Sequence, residues 1–274
     1  MKTQAEKAAD FAALHDNGCF VIPNPWDRGS ARLLAALDFK ALTTTSAGYA
    51  RSLGVSDYNA GRDHVLAHVR DLNGATDLPL AADLENGFGH DPEACAETIR
   101  LGAAAGLVGG SIEDATGDAA NPFYDIALAA DRIRAAAEAA KALPFRFMLV
   151  ARSENHLHGR NDLSDTIARL QAYQEAGADV LYAPGLTTAE EIGTVCRAVD
   201  RPVNVLGGLG ANPLSVAELA ALGVRRISLG SLLHSAAMTA FVKVAEESKS
   251  TFGFVADLMG GGQFDGWLAA GQAK

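Results

Sequence analysis

A chain of 274 residues, 49% hydrophobic and 20% charged, is long for one sandwich or bundle and too apolar for disorder. Its 23 basic and 33 acidic residues give a formal charge of −10 without a polybasic run, which argues against nucleic acid or an anionic membrane as partner. Cys19, Cys95 and Cys196 are few, odd in number and far apart, so a reducing compartment fits and structural zinc does not.

Along the chain, the first ten residues are polar and helical in character, with no apolar signal-peptide core. No stretch approaches the roughly 20 apolar residues of a membrane span, and a cytoplasmic location is expected. Short β-forming runs then alternate with Ala/Leu-rich amphipathic segments. The runs are 20–23, 41–45, 80–83, 107–112, 147–152, 180–183, 203–206 and 227–229, and the clearest helices are 92–105, 126–140, 162–176 and 213–222. Asp91-Pro92 and Asn212-Pro213 place proline at a first helical position behind a capping side chain. Gly177 and Gly223 each fall between a helix and a strand, where a left-handed cap is wanted. About eight such βα units predict an α/β fold, a (β/α)8 TIM barrel, as one catalytic domain over 1–274. An open doubly wound sheet is the second architecture, though no Gly-x-Gly-x-x-Gly follows the first strand.

In such a barrel the chemistry sits at the C-terminal ends of the strands, and polar residues gather there. The third run ends Asp83-Leu84-Glu85, and a period of two sends both carboxylates to one side. The fourth ends Glu113-Asp114 and the fifth Arg152-Ser153-Glu154, while the second enters the small-residue loop Thr43-Thr44-Thr45-Ser46-Ala47-Gly48. Converging carboxylates stay ionised together only beside a cation. Hard oxygen donors in an incomplete set describe Mg2+, with Mn2+ as the alternative, and the expected metal residues are Asp83, Glu85 and Glu113. Arg152 alone could be a salt-bridge partner of Glu113 or Glu154. Asp27 reads as a helix cap, and His156 and His158 as solvated loop residues.

Asn24-Pro-Trp-Asp27, Thr44-Thr-Ser-Ala-Gly48, Ser52-Leu-Gly-Val-Ser-Asp57, Ala82-Asp-Leu-Glu-Asn-Gly-Phe-Gly89, Ser111-Ile-Glu-Asp114 and Val150-Ala-Arg152 together resemble the isocitrate lyase/phosphoenolpyruvate mutase superfamily. The motifs keep that family's order over residues 20–231. The resemblance implies a metal-dependent enzyme that makes or breaks a C–C or C–P bond beside a pyruvate-like unit, its partner a small α-oxo or α-hydroxy carboxylate. It implies direct metal ligation by Asp83, with Asp57, Glu85 and Glu113 on water ligands. It gives Arg152, Glu113 and Asp57 the catalytic roles, and assigns substrate contacts to Arg152 and the backbone of Thr45, Ser46 and Ala47, with Asn204 a further anion-binding candidate. It also implies a homodimer or homotetramer with C-terminal helices, residues 241–268, exchanged between subunits.

The sequence departs from the pattern at the proton donor. The family's lyases carry Lys-x-Cys-Gly-His in a mobile loop after the fourth strand. The corresponding loop, Asp114-Ala-Thr-Gly-Asp-Ala-Ala-Asn-Pro-Phe-Tyr-Asp125, has no cysteine, lysine or histidine, and Glu85 stands where aspartate is usual. Asn121 is the nearest substitute for the loop asparagine of the mutases, and Tyr49, Tyr124 and Tyr182 read first as packing residues and second as candidate donors. A carbon–carbon lyase is therefore the first expectation. Oxaloacetate decarboxylase-like chemistry, a phosphonopyruvate hydrolase or mutase, and a non-catalytic oxo-acid-binding protein are the alternatives.

Overall fold

Eight parallel strands form the interior of the molecule: β1 (Phe20–Ile22), β2 (Leu42–Thr43), β3 (Leu80–Asp83), β4 (Gly109–Glu113), β5 (Met148–Arg152), β6 (Val180–Tyr182), β7 (Val203–Leu206) and β8 (Arg226–Ser228). Their order is β1-β8-β7-β6-β5-β4-β3-β2, and the Thr43 N–H donates to the Pro23 carbonyl at 3.1 Å across the remaining seam. The result is the expected (β/α)8 barrel. The structure, a computed structural model, describes residues 2–253, 255 and 258–274. Among these no helix is long and apolar enough to cross a membrane.

Helices α2 (Arg28–Ala36), α4 (Arg62–Asn73), α5 (Pro92–Ala104), α6 (Ile126–Lys141), α7 (Leu163–Ala176), α8 (Ala189–Ala198) and α9 (Val216–Ala221) lie between the strands, with the short α3 (Ser46–Ser52) following β2. Their starts follow from side-chain caps. Asp27 accepts from the Ser30 amide, as expected of a cap, and Thr188 and Ser215 form capping boxes with Glu191 and Glu218. Each cap contributes about 1 kcal/mol. The Ser215 box also corrects an expectation: α9 begins at Val216 rather than at Pro213, because Ser215 and Glu218 satisfy the first-turn amides. Pro92 does open α5, and Gly177 caps α7 in the left-handed region.

Strand ends move by a residue or two from the sequence reading. β4 runs to Glu113 because Glu113 pairs with Arg152 on β5. β8 is Arg226–Ser228 rather than 227–229, its register fixed by pairing with β1 and β7.

Helix α1 (Gln4–Ala13) closes the N-terminal end of the barrel. Thr3 and Glu6 box its start, and Ala8, Phe11 and Ala12 pack against Ile22, Ala41, Ala81, Val108, Met148 and Val180 at the strand bases. Gly109 makes this fit possible: a Cβ there would meet Phe11 Cε1 at 2.8 Å and the Met148 carbonyl at 2.9 Å. Truncating the fully buried Phe11 would cost about 3–5 kcal/mol. At the other end of the chain, α10 (Leu232–Glu247) buries only His234, and α11 (Gly261–Gln272) packs on α2 of the same chain.

Candidate active site

The C-terminal mouth of the barrel holds the expected cluster. Arg152, at the end of β5, lies at its centre. Its Nη1 donates to Asp83 Oδ1 at 2.9 Å and stands 3.1 Å from Glu113 Oε2, and its Nε donates to Glu154 Oε1 at 2.9 Å. One guanidinium thus serves three carboxylates from three strand ends. Asp83 also accepts from the Ser46 hydroxyl at 3.0 Å, and its own N–H donates to the Thr44 hydroxyl at 3.0 Å. Thr45 caps α3 through its hydroxyl, at 3.2 Å from the Gly48 amide. Thr45, Ser46, Ala47, Asp57, Asp83, Arg152 and Asn204 all line one cavity of about 270 Å3. A wider hollow of about 990 Å3 at the mouth is lined by Asp57, Tyr58 and Glu85.

Glu85 arrives by a route that alternation did not anticipate. β3 ends at Asp83 and Glu85 takes a left-handed backbone, φ 49°, as does Phe88, φ 58°. Each such residue costs on the order of 1–2 kcal/mol, and the fold holds them with Arg132. This buried side chain donates to the Asn86, Gly89 and His90 carbonyls and stacks 4.1 Å from the Tyr124 ring. Gly87 lies between them at φ 80°, where a Cβ would meet Cys95 Sγ at 2.9 Å. The strain presents the Glu85 carboxyl to a buried position, and its Oε1 has no hydrogen-bond partner.

The electrostatics follow from this crowding. Burial first, then Asp83 and Asp57, push Glu85 up to about 8. Glu113 is pushed well above the usual carboxylate range by burial, against the pull of Arg152. Asp57 is raised by burial and by Asp83. Glu154, fully buried, rises to about 7 for want of solvent. Crowded together with one guanidinium among them, these carboxyls are pushed toward their protonated forms, and a further cation would reverse that push.

Sequence reasoning missed Tyr58, whose hydroxyl makes a very short hydrogen bond to Glu113 Oε1. Its backbone is left-handed, φ 64°, and burial with the Glu113 charge keeps its phenol protonated. Its place directly after Asp57 was the available signal. Among the candidate tyrosines, Tyr182 stands on the cavity wall with Arg152 over its ring at 5.2 Å. Tyr49 donates to the His64 carbonyl and stacks on His68, and Tyr124 joins Asn86 and His90 behind the site, so both serve packing.

Asp114 faces away from the mouth. Its carboxylate accepts from the Glu154 amide at 2.8 Å, the Tyr173 hydroxyl at 2.6 Å and Arg169 at 3.0 Å, which ties the ends of β4 and β5 to α7. The loop after it closes on itself as a small hairpin through the Ala115–Phe123 bridge. Asn121 bonds Asp118 there and lines a separate hollow with His158 and Arg160, outside both site cavities. His158 is exposed as expected. His156 instead is partly buried, its Nε2 without a partner.

The donor set fits a hard divalent cation. Among the described residues no three acidic, imidazole or thiol groups converge closely enough to hold a metal by themselves, so an ion here would need water or substrate oxygens to complete its shell. The unpartnered Glu85 Oε1 and the raised Glu85 and Glu113 are what such an ion would relieve.

A sequence profile of phosphoenolpyruvate phosphomutase matches residues 11–249. A Burkholderia cenocepacia protein assigned as a lyase/mutase shares 57% identity over 98% of each chain, with a TM-score of 0.96. An uncharacterized Mycobacterium tuberculosis protein is 34% identical over 86% of this chain and 87% of its own. The 2-methylisocitrate lyase of Escherichia coli is 31% identical over 74% of this chain and 70% of its own.

Proposed function

Since the chain belongs to the phosphoenolpyruvate phosphomutase family and is an enzyme of the carbon–carbon lyase type, we propose that it cleaves a small α-oxo or α-hydroxy dicarboxylate with the aid of Mg2+. The observation that carries this reading is the gathering of four carboxyls, the buried Glu85 and Glu113 and the half-buried Asp57 and Asp83, at the mouth beside the Arg152 guanidinium. Asp83 would ligate the ion directly, while Asp57, Glu85 and Glu113 would hold its waters. Bound there, Mg2+ supplies Lewis-acid stabilisation of the negative charge that develops as the bond breaks.

The chain's own residues do the rest. Arg152 offers a planar fork to the substrate carboxylate or oxo oxygen, the end where charge accumulates. The Ser46 hydroxyl holds Asp83 in place, and Tyr58 holds Glu113. Backbone amides of Thr45, Ser46 and Ala47 and the side chain of Asn204 serve the rest of the substrate. When an α-hydroxy acid is cleaved, its hydroxyl gives its proton to a base and becomes a carbonyl as the C–C bond breaks, and the electron pair left on the enolate takes up one proton at carbon. The loop 114–125 offers no cysteine, lysine or histidine for this.

That loop favours a second reading, decarboxylation of an oxaloacetate-like acid. There CO2 departs without needing a proton, and the enolate that stays in the site takes its one proton at carbon from water, so no lid acid is required. A turnover screen tests both readings: oxaloacetate, 2-methylisocitrate, dimethylmalate and phosphonopyruvate, with Mg2+ and with chelator, following pyruvate, glyoxylate or succinate. Turnover abolished by chelator and by Asp83→Ala is the expected result. No metal-linked turnover or binding of any of these acids would refute the metal site itself.

A further inference from the structure

The barrel interior contains a second arginine that the chemistry above does not use. Arg226 projects from β8 into the cavity that Asp83 and Arg152 line. It is 3% exposed, its Nε and Nη1 have no hydrogen-bond partner, and among the described residues no carboxylate pairs with it. Phe11 of the α1 plug lies 5.8 Å beneath it. Burial pushes its guanidinium down to about 10, against Tyr182, which still leaves it charged at neutral pH. An unpaired buried cation is costly, and folds supply it with an anion or remove it.

Strand register shows how this cation relates to the mouth. Glu113 pairs with Arg152, Arg152 with Tyr182, Tyr182 with Asn204, and Asn204 with Arg226. Because barrel strands tilt by roughly 36°, such a row runs obliquely, from the mouth at Glu113 to the floor at Arg226. Polar groups continue down it. Asn204 donates to the Ser228 hydroxyl at 3.1 Å, and its Oδ1 is buried without a partner. Rotating that amide by half a turn lets Ser228 donate to Oδ1 and turns Nδ2 toward the cavity as a donor.

We propose that Arg226, with Asn204 and Ser228, forms a floor subsite for a second anionic group of the substrate, so that the enzyme takes two-headed oxo acids. One head lies at Arg152 and the carboxylates, the other at Arg226. The cavity of about 270 Å3 between them has room for a short dicarboxylate. This inference rests on the proposed function and gives the second carboxylate of that dicarboxylate its binding place.

The test compares two inert ligands of equal chain length, 2-oxoglutarate and 2-oxopentanoate, which differ only in a terminal carboxylate. Binding is measured by calorimetry in Mg2+ for wild type, Arg226→Met and Arg226→Lys. Wild type should prefer 2-oxoglutarate by about 10- to 100-fold, the scale of charge-assisted hydrogen bonds. Arg226→Met should abolish the preference while leaving 2-oxopentanoate affinity and its Mg2+ requirement intact, and Arg226→Lys should keep part of it. The methionine variant should also melt no lower than wild type without ligand, since it removes an unpaired charge. An unchanged preference in Arg226→Met, or no preference in wild type, overturns the subsite alone. Chloride stabilising the wild type but not Arg226→Met, with no preference between the oxo acids, overturns it too by giving the charge an inorganic partner. Failure of both ligands to bind in a Mg2+-dependent way refutes the metal-anchored first head, and the subsite with it.

Discussion

Replacing Arg152 by methionine removes the one cation shared by Asp83, Glu113 and Glu154, which approach it at 2.9, 3.1 and 2.9 Å. Breaking a buried ion pair from one side typically costs about 3–5 kcal/mol, because the abandoned charges stay buried. Glu113 and Glu154 are 2% and 0% exposed in their side chains, so the upper half of that range applies. The loss must depend on pH. Both carboxyls already have raised pKa values with Arg152 present, Glu154 at about 7, and its removal raises them further. The folded variant then binds more protons than the unfolded chain, so its stability declines as pH rises through that window. Urea unfolding in chelator should show the full deficit near pH 8 and a smaller one near pH 5.5, where the carboxyls are protonated in the fold. Mg2+ should restore part of the deficit at pH 8 by replacing the missing charge. A deficit below about 1 kcal/mol, the value of an exposed pair, or one of equal size at both pH values, would refute this account of the site.

Tyr58→Phe should raise the Mg2+ concentration for half-maximal turnover by about 10- to 100-fold, the usual scale for a group that orients a metal's surroundings. A fall of about 10²-fold in kcat at saturating Mg2+, without that shift, would make the hydroxyl a proton donor instead. His15, wedged between Phe11 and Phe20, is held down to about 4 by burial and by Arg226. Its contribution to stability is complete above pH 6.5 and fades as pH falls toward 4, by roughly 3 kcal/mol. His15→Leu should flatten the urea midpoint over that range, and an unaltered acid slope would count against the assignment. Helix α10 exposes Leu232, Met238, Phe241 and Val242, an apolar face suited to the expected homo-oligomer. Light scattering at micromolar concentration should give a dimer or tetramer, and a monomer would remove that expectation.

The architecture was readable because helices and strands each carry their own period and because glycine and proline mark their junctions. Asp83, Glu113 and Arg152 were readable for a related reason: a charged residue directly after an apolar run marks a strand end that opens on a site. Glu85 was found for an incomplete reason. Its position depends on a left-handed turn stabilised by Arg132, which lies 46 residues beyond the Asn86 carbonyl it holds. Tyr58 meets Glu113 across 55 residues of chain, and no local pattern encodes such a meeting. Arg226 was hidden by a one-residue slip at β8, because an arginine at the start of a run reads as a surface boundary. Only register with its neighbours shows that it faces inward.

The α1 plug has a kinetic consequence. With Phe11 seated under the floor and Gly109 shaped to admit it, the N-terminal end of the barrel is stoppered by the chain's own first helix. On the proposed reading, substrate would enter and fragments leave at the mouth, and of two cleavage fragments the one nearer the mouth would leave first. The deeper one would leave last and compete with fresh substrate for the empty enzyme, while its companion would inhibit by a different pattern. A stoppered floor would thus set the order of departure before any residue at the mouth takes part.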